Sequence, residues 1–149
     1  MDLDREGAYT FDREYPHTID DKGRLTLPVK YREALGERYM ISKGMETCLF
    51  VYPQAEWDKL AEKLNALPIF NPKARNVKRR FFSGACAGET DRQGRTMINQ
   101  ELRNFAGLRK DVYVVGAGDH AEIWDKTAWE VYRAELDANY EALAEELFQ

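Results

Sequence analysis

The chain contains one phrase twice, so its fold must accommodate two copies of one small unit. Asp20-Asp21-Lys22-Gly23-Arg24, continuing through Leu25-Thr26-Leu27-Pro28 to Arg32 and Gly36, returns as Asp91-Arg92-Gln93-Gly94-Arg95, continuing through Ile98 to Arg103 and Gly107. At an offset of 71, Asp20/Asp91, Gly23/Gly94, Arg24/Arg95, Arg32/Arg103 and Gly36/Gly107 are identical, and Leu27/Ile98 is conservative. One inserted residue moves the offset to 72, after which Gly44/Gly116, Val51/Ile123, Tyr52/Trp124, Trp57/Trp129 and Leu64/Leu136 stay in step. Self-similarity sustained at a fixed period marks a repeated structural unit.

The unit has a local physical reading. Asp at the first position can hydrogen-bond a turn backbone and Gly at the fourth tolerates positive φ, so Asp-x-x-Gly-Arg is predicted to be a hairpin tip. In the strand that follows, Leu25 and Leu27 alternate with Arg24 and Thr26, as Thr96 and Ile98 do with Arg95 and Met97, which turns each tip arginine away from the core face. Pro28, through its fixed φ, and Asn99, through its side chain, open short helices that Gly36 and Gly107 close.

With 149 residues and 44% apolar side chains, the chain can build one compact domain with its own core. It carries no apolar run long enough for a membrane span and no charged-then-apolar leader, which makes the cytoplasm the expected location. Cys48 and Cys86 lack metal-ligand spacing and read as free thiols in apolar surroundings. A net charge of −4 argues against nucleic acid only until it is divided along the chain. Residues 122–149 carry −6 and residues 1–14 carry −3, leaving +5 on residues 15–121. A basic face can therefore coexist with an acidic whole.

Residues 1–10 lack periodicity and read as a mobile extension or a cloning remnant. Tyr15, His17 and Ile19 alternate into the first tip as a strand in which His17 is packed. Tyr39-Met40-Ile41 and Leu49-Phe50-Val51-Tyr52 form a hairpin around Gly44. Pro53 begins a helix with Trp57, Leu60, Ala61 and Leu64 on one face, making Trp57 a core anchor. After the Leu67-Pro68-Ile69-Phe70 break, Asn71-Pro72 opens a helix with Ala74, Val77, Phe81 and Ala85 on one side. Its other faces carry Lys73, Arg75, Lys78, Arg79 and Arg80. They read either as phosphate contacts, or as a solvated face or partners for the acidic C-terminal helix of a neighbouring subunit. The second half repeats the plan through Val112–Val115 and 121–124. A helix capped by Asp125 follows, placing Trp129, Tyr132, Leu136, Tyr140 and Leu143 three or four residues apart.

Gly116-Ala117-Gly118-Asp119-His120-Ala121 fits the loose dinucleotide pattern G-x-G-x-x-A, yet it precedes the strand Glu122-Ile123-Trp124 rather than a helix, so the nucleotide reading fails on context. No Ser/His/Asp or Cys/His set and no metal-spaced cluster appears, and two histidines offer little for general acid–base work. The chain reads as a non-enzyme that needs no cofactor.

The doubled Asp-x-x-x-Arg, the phrase from His17 to Pro28, Phe81-Phe82-Ser83-Gly84-Ala85 and Glu122-Ile123-Trp124 together resemble the MraZ family of bacterial transcriptional regulators, relatives of the SpoVT/AbrB DNA-binding proteins. The resemblance covers residues 11–136. It implies an α+β fold, a pseudo-symmetric swapped-hairpin β-barrel of two AbrB-like units with flanking helices. The units occupy residues 14–57 and 85–128, with a helical connection at 58–84 and a C-terminal helix at 129–149. It further implies ring-shaped homo-oligomers in the cytoplasm and nucleoid. These would bind double-stranded DNA at direct promoter repeats and repress the division and cell-wall gene cluster, their own gene included. One departure is visible: the family's Phe-x-Gly opening is Phe11-Asp12-Arg13 here, at a position that bears on subunit contact.

The expected DNA contacts are Lys22, Arg24, Arg92, Gln93 and Arg95, whose donors suit phosphates or the O6/N7 edge of guanine. Asp20, Gly23, Asp91 and Gly94 are expected to build the turns. The competing reading makes Asp and Arg an ion pair that stiffens each tip, and a ring-forming scaffold without specific DNA binding remains the alternative function.

Overall fold

The computed structural model describes residues 11–148. The extension read over residues 1–10 lies outside them. In chain order the elements are β1 (Glu14–Thr18), β2 (Arg24–Thr26), α1 (Val29–Leu35), β3 (Tyr39–Lys43), β4 (Leu49–Pro53), α2 (Gln54–Asn65), α3 (Pro72–Ser83), β5 (Cys86–Ala87), β6 (Arg95–Met97), α4 (Gln100–Phe105), β7 (Asp111–Gly116), β8 (Ala121–Asp125) and α5 (Lys126–Phe148). The fold is α+β, with antiparallel strand pairing throughout.

The two halves exchange strands. β1 of the first half pairs with β7 of the second, Pro16 opposite Tyr113, and β5 of the second pairs with β3 of the first, Ile41 opposite Cys86. At the centre β4 lies against β8, with Phe50 opposite Glu122. These pairings make one six-stranded sheet in the order β1-β7-β8-β4-β3-β5, while β2 and β6 form a separate two-stranded ribbon. The resemblance implies a swapped-hairpin β-barrel; among the described residues continuous pairing ends at β1 and β5, and the single bridges Ile19↔Leu25 and Thr90↔Thr96 tie the ribbon to its flanks. The strands β2 and β6 have three residues each.

The alternation in the repeat sets the core. Leu25, Leu27, Thr96 and Ile98 are buried, as are Tyr31 and Leu102 on the short helices, and they meet Ile41, Val51, Val112 and Ile123 from the sheet. Asn99 caps α4 by accepting from the backbone N–H of Leu102 at 2.9 Å, whereas Pro28 precedes α1 with no side-chain cap. Gly36, at φ +67°, ends α1 with its N–H on the carbonyl of Arg32.

The helices after the two hairpins diverge. Trp57 of α2 is buried and stacks on Phe81 of α3, ring centroids 4.3 Å apart at 11°. α3 starts as expected, with Asn71 accepting from the N–H groups of Lys73 and Ala74 and Pro72 in the first turn. Val77, on the same side as Ala74 and Phe81, is 52% exposed, because α3 seats those two residues and leaves Val77 on the rim of an open cleft. In the second half Asp125 accepts from the N–H of Ala128 at 3.2 Å, and Trp129 packs on Trp124. Farther along α5, Tyr140 and Leu143 lie exposed rather than against a core, since α5 lies mainly on β7 and β8, which end beneath its first turns.

At the start of the described chain, Phe11 is buried and bridges Gly118, and the Tyr31 hydroxyl donates to the carbonyl of Asp12. Arg13, which stands where the resemblance expects Gly, adopts φ +67°.

Candidate nucleic-acid interface

Each tip is locked by its own aspartate. In the first, Asp20 Oδ1 accepts from the backbone N–H groups of Lys22 at 3.0 Å and Arg24 at 2.9 Å, while Asp20 Oδ2 accepts from Arg24 Nε at 2.6 Å. In the second, Asp91 Oδ1 accepts from the N–H groups of Gln93 and Arg95, both at 2.9 Å, and Asp91 Oδ2 from Arg95 Nε at 2.8 Å. The turns close through Gly23 N–H to the Asp20 carbonyl at 2.9 Å and Gly94 N–H to the Asp91 carbonyl at 3.0 Å. Gly23 at φ +83° and Gly94 at φ +78° occupy the left-handed region that glycine enters without strain.

These donors hold both carboxyls below the usual carboxylate range. The backbone N–H of Arg24 contributes most at Asp20 and that of Arg95 most at Asp91, ahead of the guanidinium side chains. The ion pair weighed from the sequence is therefore part of the tip geometry.

Sequence reasoning left the identical pair Arg32 and Arg103 without a role, and the structure places them across the halves. A Cβ on Gly94 would strike the guanidinium of Arg32, and one on Gly23 would meet Arg103 together with the carbonyl of Ile98. Arg103 Nε also donates to that Ile98 carbonyl at 2.9 Å. The backbone is crossed in the same way: Ile98 N–H donates to the Gly23 carbonyl at 2.8 Å and Leu27 N–H to that of Gly94 at 3.3 Å. Each tip is thus held by the other half. Their identity in the repeat was the available signal, but it names no partner.

This crossing brings the two tips onto one ribbon. Arg24 stands opposite Met97 and Thr26 opposite Arg95, so these four side chains share the outer face while Leu25 and Thr96 face the core. Lys22, Arg92 and Gln93 are exposed at the turns. All five expected contact residues therefore lie at the tips or on the outer face of one β2–β6 ribbon. The guanidinium of each tip arginine is anchored through Nε, and Arg95 Nη2 also reaches Gln93 Oε1 at 3.5 Å.

The basic helix divides. Arg80 donates to the Gly44 carbonyl at 2.9 Å and lies over the Phe105 ring, and Arg75 donates to the Ile69 carbonyl. The Gly116–Ala121 segment is the hairpin between β7 and β8, in keeping with rejection of the nucleotide pattern. There His120 stacks on Tyr52 at 4.5 Å and contacts Asp119 Oδ1 at 2.8 Å and Glu122 Oε2 at 3.0 Å. Burial pulls its pKa down, and the two carboxylates raise it further, leaving it above the ordinary value. His17 is half-buried in β1, and burial lowers its pKa. Cys48 is buried and Cys86 half-buried, both as free cysteines, with burial pushing each thiol up. Among the described residues no group of three or more His, Cys, Asp or Glu could hold a metal ion, and no helix is long and apolar enough to cross a membrane.

Comparison with known proteins follows the same two-fold division. The family model MraZ, described as "MraZ protein, putative antitoxin-like", matches the chain twice, over residues 10–80 and 81–149. Similar curated proteins include the "Transcriptional regulator MraZ" of Moorella thermoacetica, 49% identical over 137 residues that cover 92% of this chain and 96% of that protein. Those of Desulforamulus reducens and Acetivibrio thermocellus, bearing the same name, are 46% and 44% identical with the same coverage.

Proposed function

The chain belongs to the MraZ family, and from that premise we propose that it is a DNA-binding transcriptional regulator that reads double-stranded DNA with the β2–β6 ribbon. The observation that carries this reading is the shared outer face of Arg24 and Arg95, each fixed through Nε by the aspartate of its own turn. A guanidinium so held keeps its Nη pair for a phosphate or the O6/N7 edge of guanine and loses little side-chain freedom on binding. Lys22, Arg92 and Gln93 at the turns add phosphate or base contacts. The carboxylates Asp20 and Asp91 orient the arginines without touching DNA.

We read the exchange of β1 and β5 between the halves as a swapped hairpin, with the two single bridges as the seam of a small barrel. On this reading the AbrB-like units are residues 14–57 and 85–128. The protein acts in the cytoplasm at the nucleoid, as a closed homo-oligomeric ring. It represses the division and cell-wall gene cluster and has no catalytic role. One ribbon spans only a few base pairs, so a ring gains affinity by presenting several in the same sense, raising avidity by about 10²-fold or more. Ribbons on one side of a duplex engage together only when half-sites recur with the helical turn, about 10 base pairs.

The test is a gel shift at fixed salt with direct repeats at that spacing, against the same repeats separated by an added half turn of about 5 base pairs. Tight binding to the first and weak binding to the second is the expected result. Equal affinity for both would overturn multivalent reading, and no specific binding to either would favour the scaffold alternative.

A further inference from the structure

The pseudo-symmetry leaves one helix face without the cover that its counterpart has. In the first half, Leu60 and Leu64 of α2 border a cleft whose far wall is Val77 and Phe81 of α3. An offset of 72 carries Leu60 to Tyr132 and Leu64 to Leu136 on α5. No helix follows α5 among the described residues to play the part of α3. Instead the face of Tyr132, Leu136 and Leu143 borders an open groove rimmed by Glu135 and Glu146. Beyond it Tyr140 is 62% and Leu147 80% exposed. Helices gain most of their stability from tertiary packing, and among the described residues α5 finds it mainly near its first turns.

A complementary surface exists on the same molecule. The cleft beside α3 measures about 570 Å³ and is lined by Met45, Leu64, Val77 and Phe81, with Lys43 and Arg80 among its polar residues. Residues 66–88 contain five basic side chains and no acid, while residues 134–149 contain five acids and no base. Val77, exposed at the mouth of the cleft, turns an apolar side chain outward between those charges.

We propose that the distal half of α5 of one copy docks in the α2–α3 cleft of a second copy, where it contacts both helices. Leu136, Leu143 and Leu147, at helical spacing, enter the cleft as a helix enters a groove, and Glu135 and Glu146, which flank those leucines, meet Arg80 on the cleft lining and Lys73 one turn before Val77. Each copy has one donor helix and one acceptor cleft on different surfaces. The contact is therefore head-to-tail, the type that closes into a ring when its rotation permits. The proposal rests on the ring reading above and names the surface that builds it.

Charge exchange between two full-length variants tests it. One variant carries Lys73→Glu and Arg80→Glu; the other carries Glu135→Lys and Glu146→Lys. All four substitutions fall on exposed helix positions, and circular dichroism verifies folding of each variant. Light scattering should find each alone reduced to monomer mass. An equimolar mixture should regain the mass of the wild-type oligomer, since every acidic α5 then has a basic cleft and every basic α5 an acidic one. Separate variants that remain assembled, or a mixture that stays monomeric, would overturn the docking surface while wild-type oligomers keep the ring reading intact. A wild-type monomer at micromolar concentration would overturn both.

Discussion

The two hairpin tips are near copies of each other, whereas the helices that follow the two halves are not. Both tips carry the same aspartate on the same backbone donors, the same glycine at positive φ and the same arginine held through Nε. After the hairpins, α2 has twelve residues and is covered by α3, while α5 runs for twenty-three and projects past its sheet. The repeat is thus kept where two side chains must act on one ribbon and abandoned where the halves face different neighbours. Local identity in the tips is also mutual, since each glycine is closed off by the other half's arginine.

The comparison can be broken most severely at the covered helix. Trp57→Ala removes a buried indole and its stack on Phe81, and should cost about 3–5 kcal/mol in a denaturant melt. Next come the tip glycines. A left-handed Cβ costs about 1–2 kcal/mol at either position. Gly23→Ala adds a contact at 2.7 Å with the Ile98 carbonyl, a backbone atom that cannot rotate away, whereas Gly94→Ala meets only the end of Arg32. Gly23→Ala should therefore lower the melting temperature more than Gly94→Ala, and equal shifts would show that the tips respond identically despite their different ceilings.

A smaller effect of opposite sign is expected at Arg13. Its φ of +67° is strained for arginine and free for glycine. Arg13→Gly should raise stability by about 0.5–1 kcal/mol after the added freedom of the unfolded chain is counted. The same melt checks it. The smallest effect on global stability is the acid titration of the tips. Asp20 and Asp91 have pKa values depressed by folding, so their contribution is complete above the unfolded value, about 3.9. It is lost as pH falls through the lower folded values. NMR should show the two carboxyls titrating below the ordinary range, with tip order lost at both together. Asp20→Asn should abolish the first titration and leave the second.

Much of this was legible in the sequence because it is local. The turn needs Asp and Gly three positions apart, the strand needs alternation, and Asn71 and Asn99 cap their helices with their own side chains. What depends on the other half was not legible. The roles of Arg32 and Arg103 follow from strand exchange, and no pattern within one copy indicates which glycine each will cover. Spacing puts Val77 on one side of α3 with Ala74 and Phe81, but its exposure is set by how far the α2 face extends, which spacing does not encode.

The affinity of Arg24→Ala and Arg95→Ala for direct-repeat promoter DNA, measured at one salt concentration, reports whether the matched arginines form one DNA-reading surface. Each substitution should weaken binding about tenfold or more. Each should also leave thermal stability within about 0.5 kcal/mol, because the side chains lie on the outer face of the ribbon. Undiminished binding by both variants, with wild-type melts, would contradict the account.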